Sequence, residues 1–159
     1  MGWRRSLRRG AGFTLVELMV VVIILGILAA AAVPIYLTEV NRARITEAIG
    51  VLGAIRNAER TYIAEHGEYL EVTAGHVGNQ PQDSDPGLGV DCTLNAYFDE
   101  NCFRVALDDT YGFVATCDGG ADGNAAPRAA DVADVIVEMR GNGQTRYSLD
   151  AGETYTEWE

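Results

Sequence analysis

Residues 12–36 of this 159-residue chain read GFTLVELMVVVIILGILAAAAVPIY, and residues 18–38 contain no charged side chain. A helix of about 21 residues spans about 30 Å, the thickness of the hydrocarbon core of a bilayer. We therefore predict that residues 13–38 cross a membrane. Four arginines precede this stretch, at positions 4, 5, 8 and 9. By the positive-inside rule, such a terminus lies in the cytoplasm.

One ionisable residue, Glu17, lies near the start of the apolar stretch. A carboxyl group inside a membrane helix is costly, so it either keeps its proton or meets a cation. Glu17 therefore indicates a function that needs a positively charged partner. The alternative interpretation is a carboxylate that extends to the lipid headgroups.

The order and spacing of these features resemble the N-terminal signature of type IV pilins and type II secretion pseudopilins. That signature is a short basic leader ending in Gly, followed by Phe, Thr-Leu-x-Glu and an apolar helix. The matching residues here are Gly12, Phe13, Thr14, Leu15 and Glu17. The likeness is close over residues 8–36, looser to about residue 69, and nearly absent beyond that point.

The resemblance implies a processing step ahead of the apolar helix. A prepilin peptidase would cut between Gly12 and Phe13 and remove residues 1–12 as a leader. The new amino group of Phe13 would then be N-methylated. In the family, Glu17 of an incoming subunit would pair with the Phe13 amine of an assembled subunit, which would favour one axial register.

An ordinary signal peptide would show some of the same features. It also has a basic start, an apolar core and a small-residue cleavage site, for which Ala30 and Ala32 have the right spacing. Glu17 inside the core fits that interpretation poorly, as does the helical pattern that continues past Pro34. The mature N-terminus distinguishes the two, because Phe13 would indicate a pilin and Val33 a secreted domain.

The helical pattern extends to about residue 66, and its second half, residues 39–66, is amphipathic, with apolar residues at steps of three and four. Such a stripe requires a sheet or other helices against it. Within the first half, Pro34 should kink or open the helix and Gly26 should weaken it. By resemblance, the segment between them can unwind in a filament; alternatively, both are ordinary residues of a membrane helix.

The remaining residues predict a loop and a small antiparallel sheet, so the expected fold is α+β, with the long helix packed on about four strands. Residues 67–101, rich in Gly, Pro, Asp and Asn, correspond by position to the variable αβ-loop of pilins. Residues 102–159 would form the sheet and tail. Alternating segments near 103–108, 112–117, 135–140 and 145–150 predict two hairpins. The Asn142-Gly143 pair is the stronger turn signal.

Three cysteines in an exported domain suggest one disulfide and one free thiol. If residues 109 and 110 form a two-residue turn, counting outward places Cys102 opposite Cys117, and we predict a disulfide between them. Asp-Thr is a poor two-residue turn, so Cys92 with Cys102 is the alternative pair.

The charge of the chain excludes a large basic face. The net charge is −11, and four of the positive charges lie in residues 1–12, so the mature chain would carry −15. We therefore predict no direct nucleic-acid partner, because phosphate binding needs clustered cations.

Two acidic groups are weak calcium candidates. Neither matches the Asp-x-Asp-x-Asp-Gly spacing of a calcium loop, so the simpler interpretation is a solvated acidic loop. They are Asp118, Asp122 and Asn124, and Asp83, Asp85 and Asp91. We predict neither a metal nor another cofactor. No nucleophile–base pair or phosphate-binding loop stands out, so we predict no enzyme activity.

The resemblance implies a structural role as the major pilin of a type IV pilus. The precursor would be a single-pass protein of the inner membrane, and the mature chain would polymerise through its N-terminal helix into a filament on the cell surface. Its partners would be membrane lipid, the prepilin peptidase, the inner-membrane assembly machinery and other copies of itself. The alternatives are a major pseudopilin of type II secretion, or a membrane-anchored periplasmic binding module or enzyme.

Overall fold

The computed structural model describes residues 12–81, 83–119 and 134–158, and the chain divides into two compact units, residues 1–40 and 41–159. One long helix precedes an antiparallel sheet, which confirms the predicted α+β class. The helix is α1 (Leu15–His66). A 3₁₀ turn (Glu100–Cys102) leads into β1 (Phe103–Asp108), β2 (Gly112–Asp118), β3 (Ile136–Arg140), β4 (Thr145–Ser148) and β5 (Thr156–Glu157).

The first unit contains the N-terminal part of α1, whose side chains are exposed through residue 39. This part is long and apolar enough to cross a membrane. The helix is continuous through Gly26 and Pro34. Pro34 cannot donate a backbone hydrogen bond, but its carbonyl accepts one from the hydroxyl of Thr38 at 3.1 Å. The helix is not opened at Pro34 in this structure. Unwinding between Gly26 and Pro34 in a filament stays a prediction.

The second unit is built on the remaining part of α1, which packs against the sheet. The helical residues that are buried recur at steps of three and four, so they lie on one face. They are Arg44, Ile45, Ala48, Val51, Leu52, Ile55 and Glu59. The sheet contributes alternate residues of its strands to the same core, chiefly Phe103, Val105, Phe113, Ala115, Cys117, Val137 and Met139.

The five strands pair in chain order, each antiparallel to the next. The first hairpin differs from the predicted register, because Asp108 pairs with Gly112 rather than with Tyr111. The Asp108 carboxylate accepts hydrogen bonds from the backbone amides of Thr110 and Tyr111, at 2.9 and 2.8 Å. Gly112 then adopts a φ of +82°, which favours glycine. The three-residue turn shifts the whole register by one position.

The second hairpin turns at residues 141–143, which include the predicted Asn142-Gly143 pair. Gly143 has a φ of +98°, and its amide donates to the carbonyl of Arg140 at 2.7 Å. Arg56 of α1 also binds this turn. Its guanidinium donates to the carbonyls of Gly141 at 3.0 Å and Asn142 at 3.2 Å. The helix and the hairpin are therefore joined at the turn itself.

The C-terminal residues dock on the sheet, which the sequence left undecided. The fifth strand is short, with Thr156 opposite Tyr147, and it was not predicted. Trp158 continues the pairing, because its amide donates to the carbonyl of Thr145 at 2.9 Å. The indole ring of Trp158 meets the ring of Tyr147 edge-on, with centroids 5.7 Å apart. The sheet therefore has five strands, one more than the four that we predicted.

The αβ-loop, residues 67–101, is attached to the helix and the sheet at several points. Val72 and Val105 exchange two backbone hydrogen bonds, at 3.0 and 2.8 Å. Elsewhere the attachment uses carboxylates that accept backbone N–H groups. Glu100 accepts from Gly78 at 2.9 Å, and Glu47 and Glu59 of α1 hold two further points of the loop. A segment with little regular structure is thereby packed into the core.

Candidate assembly site at the start of the long helix

Thr14 and Glu17 form a reciprocal set of hydrogen bonds at the beginning of α1. The Glu17 carboxylate accepts from the backbone amide of Thr14 at 3.0 Å and from its hydroxyl at 2.9 Å. In return, the Thr14 hydroxyl accepts from the backbone amide of Glu17 at 3.2 Å. This is a capping box, in which two helix-terminal N–H groups that lack intrahelical partners are satisfied.

Thr14 was missed as a functional residue by reasoning from the sequence, although the signal was present. The spacing Thr-x-x-Glu ahead of an apolar run is the signature of a capping box. The arrangement gives Glu17 partners within its own chain. A carboxyl group that would be costly in an apolar environment is therefore already hydrogen-bonded.

Glu17 lies on the N-terminal part of α1, which is otherwise apolar and exposed. Phe13 is 81% exposed, and the large apolar side chains of residues 15–37 are exposed as well. After Glu17, the next charged residue along the chain is Glu39, and the next basic residue is Arg42. A cation for Glu17 must therefore come from the N-terminal side of the helix or from another molecule.

Comparison with known proteins shows that this segment carries a known sequence motif. A family model described as the prokaryotic N-terminal methylation motif matches residues 7–33. The chain is 36% identical over 115 residues to the type IV major fimbrial protein FimA of Dichelobacter nodosus, an alignment that covers 70% of this chain and 72% of that protein. This chain belongs to the type IV pilin family. Its relatives are structural pilins, which supports a structural subunit rather than an enzyme.

Other pilins are similar over shorter stretches. The type IV major pilin protein PilE1 of Neisseria gonorrhoeae is 42% identical over 73 residues, 45% of this chain and 44% of the relative. The type IV major pilin protein PilA of Myxococcus xanthus strain DK1622 is 39% identical over 74 residues, 46% of this chain and 33% of the relative. No solved structure matches the pilin significantly.

The three cysteines of this pilin are buried in one core cluster and all are free. The predicted position of Cys102 opposite Cys117 was wrong, because Cys117 pairs with Phe103 and Cys102 precedes the first strand. The three-residue turn described above causes this shift. Neither Cys102 with Cys117 nor Cys92 with Cys102 is bonded in the structure.

The weak calcium candidates gain no support from the described residues. Within residues 12–81, 83–119 and 134–158 no group of three or more His, Cys, Asp or Glu side chains converges. Asp118 forms an ion pair with Arg104 at 3.5 Å. The carboxylates of Asp83 and Asp91 accept backbone amides of their own turns. Asp122 and Asn124 lie outside the described residues.

Proposed function

We propose that this pilin is the major subunit of a type IV pilus, stored in the inner membrane and polymerised through residues 13–38. The observation that carries the proposal is Glu17, a single carboxylate beside the expected cleavage site on an exposed apolar helix. The same apolar surface suits both states, because it can face lipid before assembly and other helices afterwards.

Cleavage would create a cation close to Glu17 in the chain. Hydrolysis of the peptide bond between Gly12 and Phe13 consumes one water and leaves a carboxylate on Gly12 and a new amino group on Phe13. This amino group would then accept a methyl group from an electrophilic methyl donor, with loss of one proton from the nitrogen. At neutral pH this amino group is largely protonated. A mature chain therefore carries a cation at its first residue and a carboxylate four residues later.

The capping box prepares Glu17 for exchange between partners. In the membrane, Thr14 provides hydrogen bonds that lower the cost of the carboxylate. On assembly, the protonated amine of Phe13 in a neighbouring subunit brings a full positive charge to the Glu17 carboxylate, whereas the donors of Thr14 carry none, so the bond to the amine is the stronger one. The exchange favours the one axial position at which amine and carboxylate meet.

The geometry of such contacts leads to an open polymer. The amine of one copy meets the carboxylate of the next, so the two surfaces differ and the interface is heterologous. Repetition of a heterologous interface that does not close gives a helical filament. Gly26 and Pro34 would allow the helix to unwind locally as subunits pack, since Pro34 cannot donate its backbone bond.

The test compares wild-type pilin with Glu17→Ala and, as a matched control on the same helix, Glu39→Ala. Mass analysis of each purified chain reports the N-terminus, and electron microscopy of sheared cell surfaces reports filaments. We expect chains that begin at Phe13 in all three proteins and filaments only in the wild type and the control. Normal filaments from Glu17→Ala, or residues 1–12 still present in wild-type filaments, would refute the proposal.

Because the chain contains no lysine, an amine-reactive label can report whether the amino group of Phe13 is accessible. The mature chain contains no Lys, so the amino group of Phe13 is its only amine. An amine-reactive label should modify the chain in detergent and should be excluded from the assembled filament. Equal labelling in both states would show that the Phe13 amine has no partner. Long surface fibres would favour a pilus over the short filament of a pseudopilin.

A further inference from the structure

Glu59 is a carboxyl group buried completely inside the second unit. It lies on α1, and its exposed fraction is 0%. One oxygen, Oε2, accepts a hydrogen bond from the backbone amide of Leu70 at 3.1 Å. The other oxygen, Oε1, has no hydrogen-bond partner among the described residues. Burial of a charged carboxylate with a single partner is costly, so this site favours the neutral acid.

The charged and titratable groups on the neighbouring elements are engaged elsewhere or exposed. On the helix, the guanidinium of Arg56 is bound to the β3–β4 turn and Arg60 is exposed. The rings of Tyr62 and of the exposed His66 stack on each other, with centroids 4.1 Å apart. At the sheet, Arg140 lies over the ring of Tyr111, 4.8 Å from its centroid. The connecting segment carries Glu68 and Glu71, which are exposed, and Tyr69, whose ring packs on Phe113.

The segment that Glu59 holds is short and fixed at both ends. At one end, the amide of Gly67 donates to the carbonyl of Ile63 at 2.8 Å and closes the helix. At the other end, Val72 is paired with Val105. Between these two points, the hydrogen bond from Leu70 to Glu59 ties the segment to α1. The ring of Tyr69, beside Leu70, lies 5.2 Å from that of Phe113 and covers part of the core.

We propose that Glu59 is a proton-dependent latch: its neutral carboxyl group holds Leu70 against α1, and loss of the proton releases residues 67–71. The ionised carboxylate reaches water when the segment moves away, whereas the neutral acid is stable inside. Because both ends of the segment stay attached, the release is local and uncovers the side of Phe113 that Tyr69 packs against.

The direction of the pH effect follows from two pKa values. Burial raises the pKa of Glu59 to about 7 in the closed form, against a smaller opposing effect of the Leu70 amide. In the open form the carboxyl group has an ordinary pKa of about 4.3. The stability that the bound proton gives to the closed form is therefore fully present below the open-form pKa and decreases as the pH rises. This contribution is lost once the pH exceeds the closed-form pKa, where both forms are ionised.

The test is hydrogen exchange on the full mature chain in detergent, measured at pH 5, 6, 7 and 8 and corrected for intrinsic exchange. We expect the Leu70 amide to open at least about tenfold more often at pH 7 than at pH 5, since each unit of pKa difference is a factor of ten. The reference is the amide of Gly141, which donates to Phe113 at 3.0 Å, and its opening should not change.

The matched variant is Glu59→Gln, whose neutral amide oxygen can still accept from Leu70. In this variant the opening of Leu70 should be independent of pH. Equal pH dependence in both proteins, or a uniform change at Leu70 and Gly141, would overturn the latch. If the variant does not fold, the alternative measurement is a pH titration of the wild-type chain, followed by the carbon-13 chemical shift of the Glu59 carboxyl group. Titration near pH 7 supports the latch, and titration near pH 4.5 overturns it.

Discussion

The Oε1 atom of Glu47 lies 2.9 Å from the backbone nitrogen of Tyr97, fifty positions further along the chain. The same carboxylate also accepts from the amides of Ala96 at 2.8 Å and Phe98 at 3.1 Å. Three consecutive N–H groups therefore converge on one side chain of α1. Beside them, the guanidinium of Arg44 lies 5.7 Å from the centre of the Tyr97 ring. The end of the αβ-loop is fixed to the helix at this point.

Replacing Glu47 by Gln should destabilise the second unit. The substituted amide keeps one oxygen acceptor but loses the charge and the second acceptor. Hydrogen bonds to a charged group contribute about 1.5–3 kcal/mol each, so we expect a loss of about 2 kcal/mol in the free energy of unfolding. Denaturant unfolding of the full chain in detergent measures it. Glu65→Gln, at an exposed position of the same helix, is the control and should have little effect. Equal losses in the two variants would show that the hydrogen bonds of Glu47 to the αβ-loop do not stabilise the unit.

Removal of the Thr14 hydroxyl should loosen the first turn of α1. In Thr14→Val the side chain can no longer accept from the Glu17 amide or donate to its carboxylate. We expect hydrogen exchange at the Glu17 amide to rise about fivefold in detergent, the effect of a typical N-cap deletion. Thr14→Ser keeps the hydroxyl and should retain the wild-type rate. Unchanged exchange in the valine variant would show that the capping box is not formed.

The contact between Arg56 and the β3–β4 turn should stabilise the packing of the sheet on the helix. In Arg56→Gln the carbonyls of Gly141 and Asn142 lose a charged donor. Two such bonds at a half-buried site predict a loss of about 1–3 kcal/mol in the free energy of unfolding. Arg60→Gln removes the same charge from an exposed position one turn away. If both variants unfold at the same denaturant concentration, net charge rather than the turn contact explains the effect.

The thiols should be unreactive in the folded pilin. Burial raises the pKa of Cys92 to about 11, that of Cys102 to about 12, and that of Cys117 well above its ordinary value. Because the thiolate is the nucleophile, alkylation at pH 8 should be very slow. In denaturant without reductant, the free thiols of this structure predict three alkylated cysteines by mass. One alkylated cysteine would show that export creates a disulfide, and Cys92→Ser would then identify the pair.

Much of the architecture is readable from short windows of the sequence. The apolar run with Glu17 at its start, the amphipathic stripe that follows and the Asn142-Gly143 turn depend on neighbours within a few positions. Helical periodicity and turn chemistry act over that range. The same local information contains the capping box, because Thr14 and Glu17 have its Thr-x-x-Glu spacing.

The contacts that hold the pilin domain together required the folded chain. Glu47, Arg56 and Glu59 are all charged residues spaced along an amphipathic helix, yet each binds backbone groups that lie outside the helix. The strand register also depended on the conformation of Gly112, because a turn longer by one residue moves every later partner. These pairings depend on which backbone groups still lack a hydrogen-bond partner once the core has packed. The local sequence around each residue does not predict which groups those are.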